Sequence, residues 1–307
     1  LPKNPIGADR AMPRLGIVGG GQLGRMLALA AAPLGIECRF IDPSTEAGAK
    51  VAAGQIVADF DHIDALIELA EWSDFVTFEF ENVPAPALDA IVGRATLAPS
   101  PRSLAVSQDR LAEKQLFTTL GFPVAPYREV ESLGQLEAAI TDLGTPAILK
   151  TRRLGYDGKG QAQINSPEDA AHAWKSVGAA PSVVERRVEF KRELSVVVVR
   201  GADESTIWYP LAENVHRSGV LHTSRAPATD VDESLVTAAV GRTIAIAQSL
   251  GHVGALTLEL FDTGDELILN EIAPRVHNSG HWTLDGAGSS QFENHVRAVT
   301  GLPLGVT

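Results

Sequence analysis

Two glutamates placed in apolar runs carry the clearest chemistry in the chain. Glu259 lies inside Leu256-Thr257-Leu258-Glu259-Leu260-Phe261, and Glu271 ends Leu267-Ile268-Leu269-Asn270-Glu271. The intervening Asp262-Thr263-Gly264-Asp265 has the composition of a hairpin turn. The two acids therefore belong on adjacent strands, in a register that the sequence leaves open. A carboxylate inside an apolar strand is costly unless it is paired or binds a cation. Two of them suit Mg²⁺, which takes hard oxygen ligands and completes its shell with water and phosphate. Arg275, His277, Asn278 and His281 follow at once, a grouping unlike a routine loop.

Phosphate-handling residues occur upstream. Lys150 closes the apolar run Ala147-Ile148-Leu149-Lys150, and the loop Gly155-Tyr156-Asp157-Gly158-Lys159-Gly160-Gln161 comes next. Glycines between charged and aromatic residues make a flap with exposed amides that can wrap phosphate oxygens, and Lys150 and Lys159 add charge. Glu185 ends another apolar strand and Glu193 sits in Lys191-Arg192-Glu193-Leu194-Ser195, both suited to ribose hydroxyls or an adenine amine. Taken together, these residues point to a site for ATP and Mg²⁺. A competing signal is Gly19-Gly20-Gly21-Gln22-Leu23-Gly24, which fits G-x-G-x-x-G, with Asp42 about 20 residues on where a dinucleotide ribose partner would sit. Such a turn leaves amides free at a helix N-terminus for phosphates of many kinds. No second dinucleotide half and no hydride-transfer domain accompany it.

The elements that must position these groups fall into three stretches. Strand-like runs at 15–18, 37–41, 55–58, 75–80 and 96–98 alternate with helical patterns at 23–32, 62–71 and 86–92, which predicts a parallel sheet covered by helices. Residues 103–120 read as one connecting helix. A compact middle follows, with strands at 147–151, 161–164 and 182–188 around a helix at 167–177. Longer strands at 193–199, 207–211, 255–261 and 266–270, with helices at 234–250 and 289–299, complete the pattern. Glu79 and Glu81 alternate with Phe78 and Phe80, so a continuous strand there would put both acids on one face near its carboxyl end, where open α/β sheets bind ligands.

The 26 Lys+Arg against 38 Asp+Glu give a net charge of −12, which disfavours non-specific nucleic-acid binding. The lone cysteine, Cys38, excludes an internal disulfide framework, favours a reducing compartment and reads as a small buried hydrophobe. No apolar stretch approaches the roughly 20 residues of a membrane span, and LPKNPIGADRAMPR reads as a loose tail without the apolar core of a secretory signal. A cytoplasmic location is the expectation, with no membrane and no nucleic-acid partner.

The order of these features resembles the ATP-grasp superfamily. The details resemble its 5-(carboxyamino)imidazole ribonucleotide synthase family, on GGGQLGRM at 19–26, TFEFENV at 77–83, QDRLAEKQLF at 108–117, GYDGKGQ at 155–161, KRELSV at 191–196, YPLAENVH at 209–216 and NEIAPRVHNSGHWT at 270–283. Where the common ATP-grasp pattern has Asn two residues after the second metal acid, this chain has Ala273, followed by Arg275, which fits this family rather than peptide-ligase relatives. The resemblance implies an α/β ATP-grasp fold: a Rossmann-like pre-ATP-grasp domain (1–105), a linker helix and small α+β lid (106–188), and a larger α+β subdomain (189–307). It implies an ATP-dependent ligase of purine biosynthesis that makes carboxyphosphate from bicarbonate and carboxylates 5-aminoimidazole ribonucleotide, acting as a homodimer. A formate-using transformylase of the same superfamily is the nearer alternative and a nicotinamide dehydrogenase the remoter one.

By matching motifs, ATP would be contacted by Arg110, Lys150, the flap Gly155, Tyr156, Asp157, Gly158, Lys159, Gly160 and Gln161, Glu185 with the hinge backbone of Arg186, Arg187 and Val188, then Glu193, His216, Asn270 and Glu271. Glu259 and Glu271 would bind Mg²⁺. Gln22, Leu23, Glu79, Glu81, Tyr156, Arg275 and His277 would face the ribonucleotide. Arg275, His277, Asn278, Asp157 and Lys159 would serve the chemistry, Arg275 by holding bicarbonate. The family also carries a small β-rich C-terminal domain with cations for the substrate phosphate, and the matched motifs stop before it, so those contacts are expected to lie partly outside these residues.

Overall fold

The computed structural model describes residues 12–155, 158–217 and 219–307. Three sheets follow one another along the chain. The first holds β1 (Arg14–Val18), β2 (Glu37–Ile41), β3 (Gly54–Ile56), β4 (Phe75–Phe78) and β5 (Thr96–Leu97), all parallel, in the order β3-β2-β1-β4-β5. Parallel neighbours need crossovers. α1 (Gln22–Ala31), α2 (Ile63–Trp72) and α3 (Ala85–Ile91) supply helices for both faces. Leu15 and Ile17 pack with Leu27 of α1, while Val18, Val76 and Phe78 pack with Leu66 and Leu69 of α2.

The expected connecting helix at 103–120 is two helices, α4 (Pro101–Ser107) and α5 (Arg110–Thr119). Gln108 ends α4 with its side-chain amide donating to the carbonyls of Glu81 (2.6 Å) and Val83 (2.8 Å), and Asp109, in extended conformation, breaks the path and restarts the helix by accepting from the Leu111 N–H (3.0 Å). The break places Arg110 in the first turn of α5.

The second sheet is small and antiparallel, with β6 (Tyr127–Val130), β7 (Ala147–Thr151), β8 (Gln161–Ile164) and β9 (Ser182–Arg186) in the order β6-β9-β7-β8. α6 (Leu133–Leu143) and α7 (Ala170–Ser176) cover it through Leu136, Ile140 and Ala173. The sequence pattern shows neither β6 nor α6, and the expected strand 182–188 ends at Arg186.

The third sheet is antiparallel. It comprises β10 (Arg192–Arg200), β11 (Thr206–Trp208), β12 (Ala212–Arg217), β13 (Val220–Arg225), β14 (Gly254–Asp262) and β15 (Leu267–Ala273), in the order β13-β12-β10-β14-β15 with β11 beside β10. α8 (Glu233–Leu250) lies on one face, against Leu194, Val196, Val198, Leu256 and Leu258. α9 (Thr283–Gly286) is short. α10 (Gln291–Thr300) lies on the other face and packs against α1, so Val197, Val199 and Phe292 share a core with Leu27 and Phe40 of the first unit. Burial on both faces explains the unbroken apolar run in β10. Among the described residues no helix is long and apolar enough to cross a membrane.

Candidate active site

The β14–β15 hairpin sets Glu259 directly opposite Glu271, with a bulge immediately after Glu259. Period 2 along β14 sends Leu258 and Leu260 into the core under α8 and Glu259 to the other side, into a chamber between the second and third sheets. Into the same chamber come Lys150 from the end of β7, Arg110 from α5, Asn270 from β15, and Glu193 and His216 from β10 and β12. Gly155, Gly158, Lys159 and Gln161 of the flap line it, as do Glu81, Arg275, His277 and Asn278.

Electrostatics divides the two acids. Burial pushes Glu271 up, but the Arg110 guanidinium, 2.6 Å from its Oε2, outweighs this and holds the carboxyl at about 2. Glu259 has no such partner; burial and then the Glu271 charge raise it to about 8. Its Oε1 lies 3.3 Å from His277 Nε2. Burial and the neighbouring Arg275 hold His277 down at about 3, so its imidazole is neutral. Beneath them Glu113 accepts from the Ile272 N–H (2.6 Å), and burial and Glu271 raise it to about 8. The Glu193 hydrogen bond to His216 Nδ1 raises that imidazole.

The donor set fits Mg²⁺. Two carboxylates face each other in the chamber, and the charge of one opposes ionisation of the other unless a cation is added. Among the described residues no three His, Cys, Asp or Glu side chains gather as a metal cage. Two carboxylates, leaving the other positions to water and phosphate, are what Mg²⁺ takes.

Several expected residues stand elsewhere. Glu185 lies beneath the chamber, not in it, with its carboxylate 3.1 Å from Lys114 Nζ and 3.3 Å from Lys150 Nζ. The Lys114 ammonium faces Glu185 Oε2 and the Lys150 ammonium faces Oε1, so one carboxylate answers two charges. Burial pushes Glu185 up, yet the two ammoniums bring it down to about 2. The side chains of Arg186, Arg187 and Val188, and Gly160, do not line the chamber. Tyr156 and Asp157 lie outside the described residues.

The glycine turn also differs from expectation. The Gly20 N–H donates to Asp42 (2.9 Å) and the Gly21 N–H to Glu79 (2.6 Å), so amides expected for a ligand's phosphate already serve two carboxylates. Gln22 is exposed and Leu23 is buried in the core. Because β4 ends at Phe78, Glu79 and Glu81 do not share a strand face. Glu79 turns back to the glycine turn, whereas Glu81 enters the chamber and pairs with Arg275 at 2.7 Å.

Sequence reasoning missed Glu113 and Lys114, although their stretch QDRLAEKQLF was singled out; two charged residues three and four places after the Arg110 helix start gave no sign of facing inward. It also missed the apolar wall of Ile148, Phe190 and Phe261, the last two stacked at 4.7 Å.

Comparison with known proteins agrees with this arrangement. Residues 12–108 match the ribonucleotide synthetase preATP-grasp domain and residues 115–292 match the ATP-grasp domain. A Rossmann-like sheet, an antiparallel lid and a larger antiparallel sheet enclosing lysine, flap and paired acids define an ATP-grasp ligase. The N5-carboxyaminoimidazole ribonucleotide synthase of Pseudomonas aeruginosa is 46% identical over 294 residues, which are 96% of this chain and 81% of that protein. The crystal structure of N5-carboxyaminoimidazole ribonucleotide synthetase from Thermus thermophilus superposes with a TM-score of 0.91 at 48% identity, over 95% of this chain and 80% of that one. The Aspergillus clavatus enzyme, solved with ADP and 5-aminoimidazole ribonucleotide, superposes at 0.90 and 30% identity, over 96% of this chain and 78% of that one. This chain belongs to the N5-carboxyaminoimidazole ribonucleotide synthase family.

Proposed function

We propose that this chamber carries out ATP-dependent carboxylation of 5-aminoimidazole ribonucleotide with bicarbonate. A bicarbonate oxygen attacks the γ-phosphorus of ATP, ADP leaves, and carboxyphosphate results. The exocyclic amine attacks its carboxyl carbon, or CO₂ released from it inside the chamber. Phosphate departs and the amine nitrogen loses a proton. The observation that carries this reading is the Glu259–Glu271 pair set among Arg110, Lys150 and Arg275.

Arg110 and Lys150 supply fixed positive charge beside the triphosphate path, and Ile148, Phe190 and Phe261 offer an apolar seat for a purine. Glu193 and His216, which line the chamber, would meet the ribose, and Asn270, which accepts from Lys150 Nζ at 3.4 Å, steadies that ammonium. Glu259 and Glu271 are the residues that would hold Mg²⁺, which when bound neutralises charge on the phosphate oxygens. Arg275, fixed by Glu81, presents a cation suited to bicarbonate, with His277 and Asn278 beside it. The flap excludes water, which carboxyphosphate requires. Glu81 is the better placed of the two upstream acids to reach the imidazole. The roles of Tyr156, Asp157 and Lys159 in this chamber, and of Gln22, Leu23 and Glu79 toward the ribonucleotide, rest on motif resemblance.

We further infer a cytoplasmic protein, in keeping with its single buried cysteine, and a homodimer, a reading taken from family resemblance and open to sedimentation analysis. The three sheets support units at 1–105, 106–188 and 189–307. The test of function is ADP release with ATP, Mg²⁺, bicarbonate and 5-aminoimidazole ribonucleotide, each omitted in turn. Release should require Mg²⁺, rise with the ribonucleotide and ignore NAD. Tight NAD binding without ATP binding would overturn the reading.

A further inference from the structure

A line of buried polar side chains runs through the third sheet to His277, and no step above uses it. The Ser224 hydroxyl donates to Asn214 Oδ1 (2.7 Å), and Asn214 Nδ2 donates to Ser195 Oγ (2.9 Å). Ser195 Oγ donates in turn to Ser279 Oγ (2.8 Å), which lies 2.9 Å from His277 Nδ1. Ser195, Asn214 and Ser279 are all at most 4% exposed. Hydroxyls and amides buried to this degree in a sheet must be satisfied internally, and here every donor points the same way.

The direction fixes the ring. The Ser279 backbone N–H, which can only donate, also approaches His277 Nδ1 at 3.3 Å. Nδ1 is therefore the acceptor, the Ser279 hydroxyl spends its own proton on it, and the ring proton is assigned to Nε2. That nitrogen is the one facing Glu259, at 3.3 Å. The ring cannot slide along its chain either. Gln291 of α10 grips the His277 backbone from both sides, accepting its N–H at 3.0 Å and donating to its carbonyl at 2.7 Å.

We propose that Ser195, Asn214 and Ser279 are positioning residues for the ligase reaction: together they hold His277 as the Nε2–H tautomer, with its single proton turned toward Glu259 and the reacting anions. Once a cation has ionised Glu259, the opposite tautomer would set a bare lone pair against its carboxylate, repelling the group it should support. Outer partners of this kind commonly change activity by about 10–100-fold when removed. The proposal rests on the chamber reading above.

The test uses the full chain with ¹⁵N-labelled histidine, the His277 signals being assigned by their loss in His277→Gln. In the wild type Nδ1 should be pyridine-like and Nε2 pyrrole-like. Ser279→Ala, which leaves only the 3.3 Å backbone N–H on Nδ1, should move the Nδ1 signal part of the way toward the average of both tautomers and lower kcat roughly 10–100-fold, with the KM for ATP little changed. Ser195→Ala should do the same more weakly, and Ser195→Ala added to Ser279→Ala should cost nothing further, because the line is already cut. Unchanged His277 signals in Ser279→Ala, or fully additive losses in the double variant, would overturn the proposal. Should Ser279→Ala not fold, Ser195→Ala, one bond further from the ring, carries the same two readouts. Absence of wild-type turnover would instead sink the chamber reading and leave the tautomer result standing.

Discussion

Glu259 and Glu271 face the same chamber from adjacent strands, yet their surroundings drive them to opposite charge states. Glu271 keeps its charge through Arg110, and Glu259 is left for a cation to ionise. Replacing Glu271 with Gln removes one negative ligand and frees Arg110, but disturbs no core packing because the side chain is 37% exposed. Glu271→Gln should lower kcat by roughly 10²–10³-fold and leave the urea midpoint nearly unchanged. Activity within a few-fold of wild type would refute the metal assignment. Glu185 makes the opposite case. It does not itself line the chamber, yet it neutralises Lys114 and Lys150, both buried. Glu185→Gln strands two ammoniums near each other and should cost about 3–5 kcal/mol in denaturant unfolding. A loss under about 1 kcal/mol would mean that Lys150 finds its charge partner in the chamber instead.

At the scale of elements, the β14–β15 hairpin was legible because its turn residues and apolar runs are strong local signals, and the register then followed from the fold. The break at Gln108-Asp109 was not, since the bonds around it are tertiary: Gln108 reaches carbonyls of residues 81 and 83, and Asp109 is held by Arg152. Strand β4 stops at Phe78 for a similar reason: Glu79 is drawn to the Gly21 amide, a contact between residues 58 apart. Strands β12 and β13 carry no apolar alternation to read: Asn214 is buried while Val215 and Val220 face outward, and no residue of β13 is fully buried. The glycine turn was legible as a tight strand–helix joint, whereas the engagement of its Gly20 and Gly21 amides by Asp42 and Glu79 was not, because both carboxylates come from other strands. A Cβ on Gly20 would meet the Phe40 ring at 2.3 Å, and one on Gly21 would meet Glu79 Oε1 at 2.2 Å. Gly20→Ala should therefore cost about 1–3 kcal/mol through overpacking against a buried ring. Gly241→Ala, inside α8 with nothing within 4 Å of the added carbon, should stabilise by about 0.5–1 kcal/mol. Thermal unfolding of the two variants beside wild type separates turn packing from general glycine entropy. Equal shifts would refute the packing argument.

At the scale of the whole molecule, the joint between the parallel sheet and the third sheet is built on two neutral imidazoles. His295 of α10 accepts from the Ala255 N–H (3.0 Å) and reaches Thr77 of β4 (2.7 Å) through its other nitrogen. His252 contacts Ser103 of α4 (2.8 Å) and the Ala255 carbonyl (2.9 Å). A proton added to His295 Nδ1 would confront an N–H, and burial opposes charge on both rings, holding His252 down at about 4 and His295 at about 3. The unfolded chain takes up these protons near pH 6.5, so it binds more of them than the folded state between that pH and the folded values. Stability from these rings is therefore complete above about pH 6.5 and declines as the pH falls toward 3, by on the order of 3 kcal/mol for each ring. Glu113 and, without a metal, Glu259 act with the opposite sign. Both are raised from 4.5 to about 8, so the stability they gain from staying protonated is present below pH 4.5 and lost as pH rises to 8. The two effects offset between about pH 4.5 and 6.5, so these four groups should leave the ligand-free protein most stable across that window and weaker above it, and Mg²⁺ with ATP should extend the window upward by ionising Glu259. Urea midpoints from pH 5 to 8.5, with and without Mg²⁺–ATP, would measure this. A midpoint that keeps rising below pH 6 would mean that the buried imidazoles are charged in the folded protein, and that the joint is held by something other than their neutral hydrogen bonds.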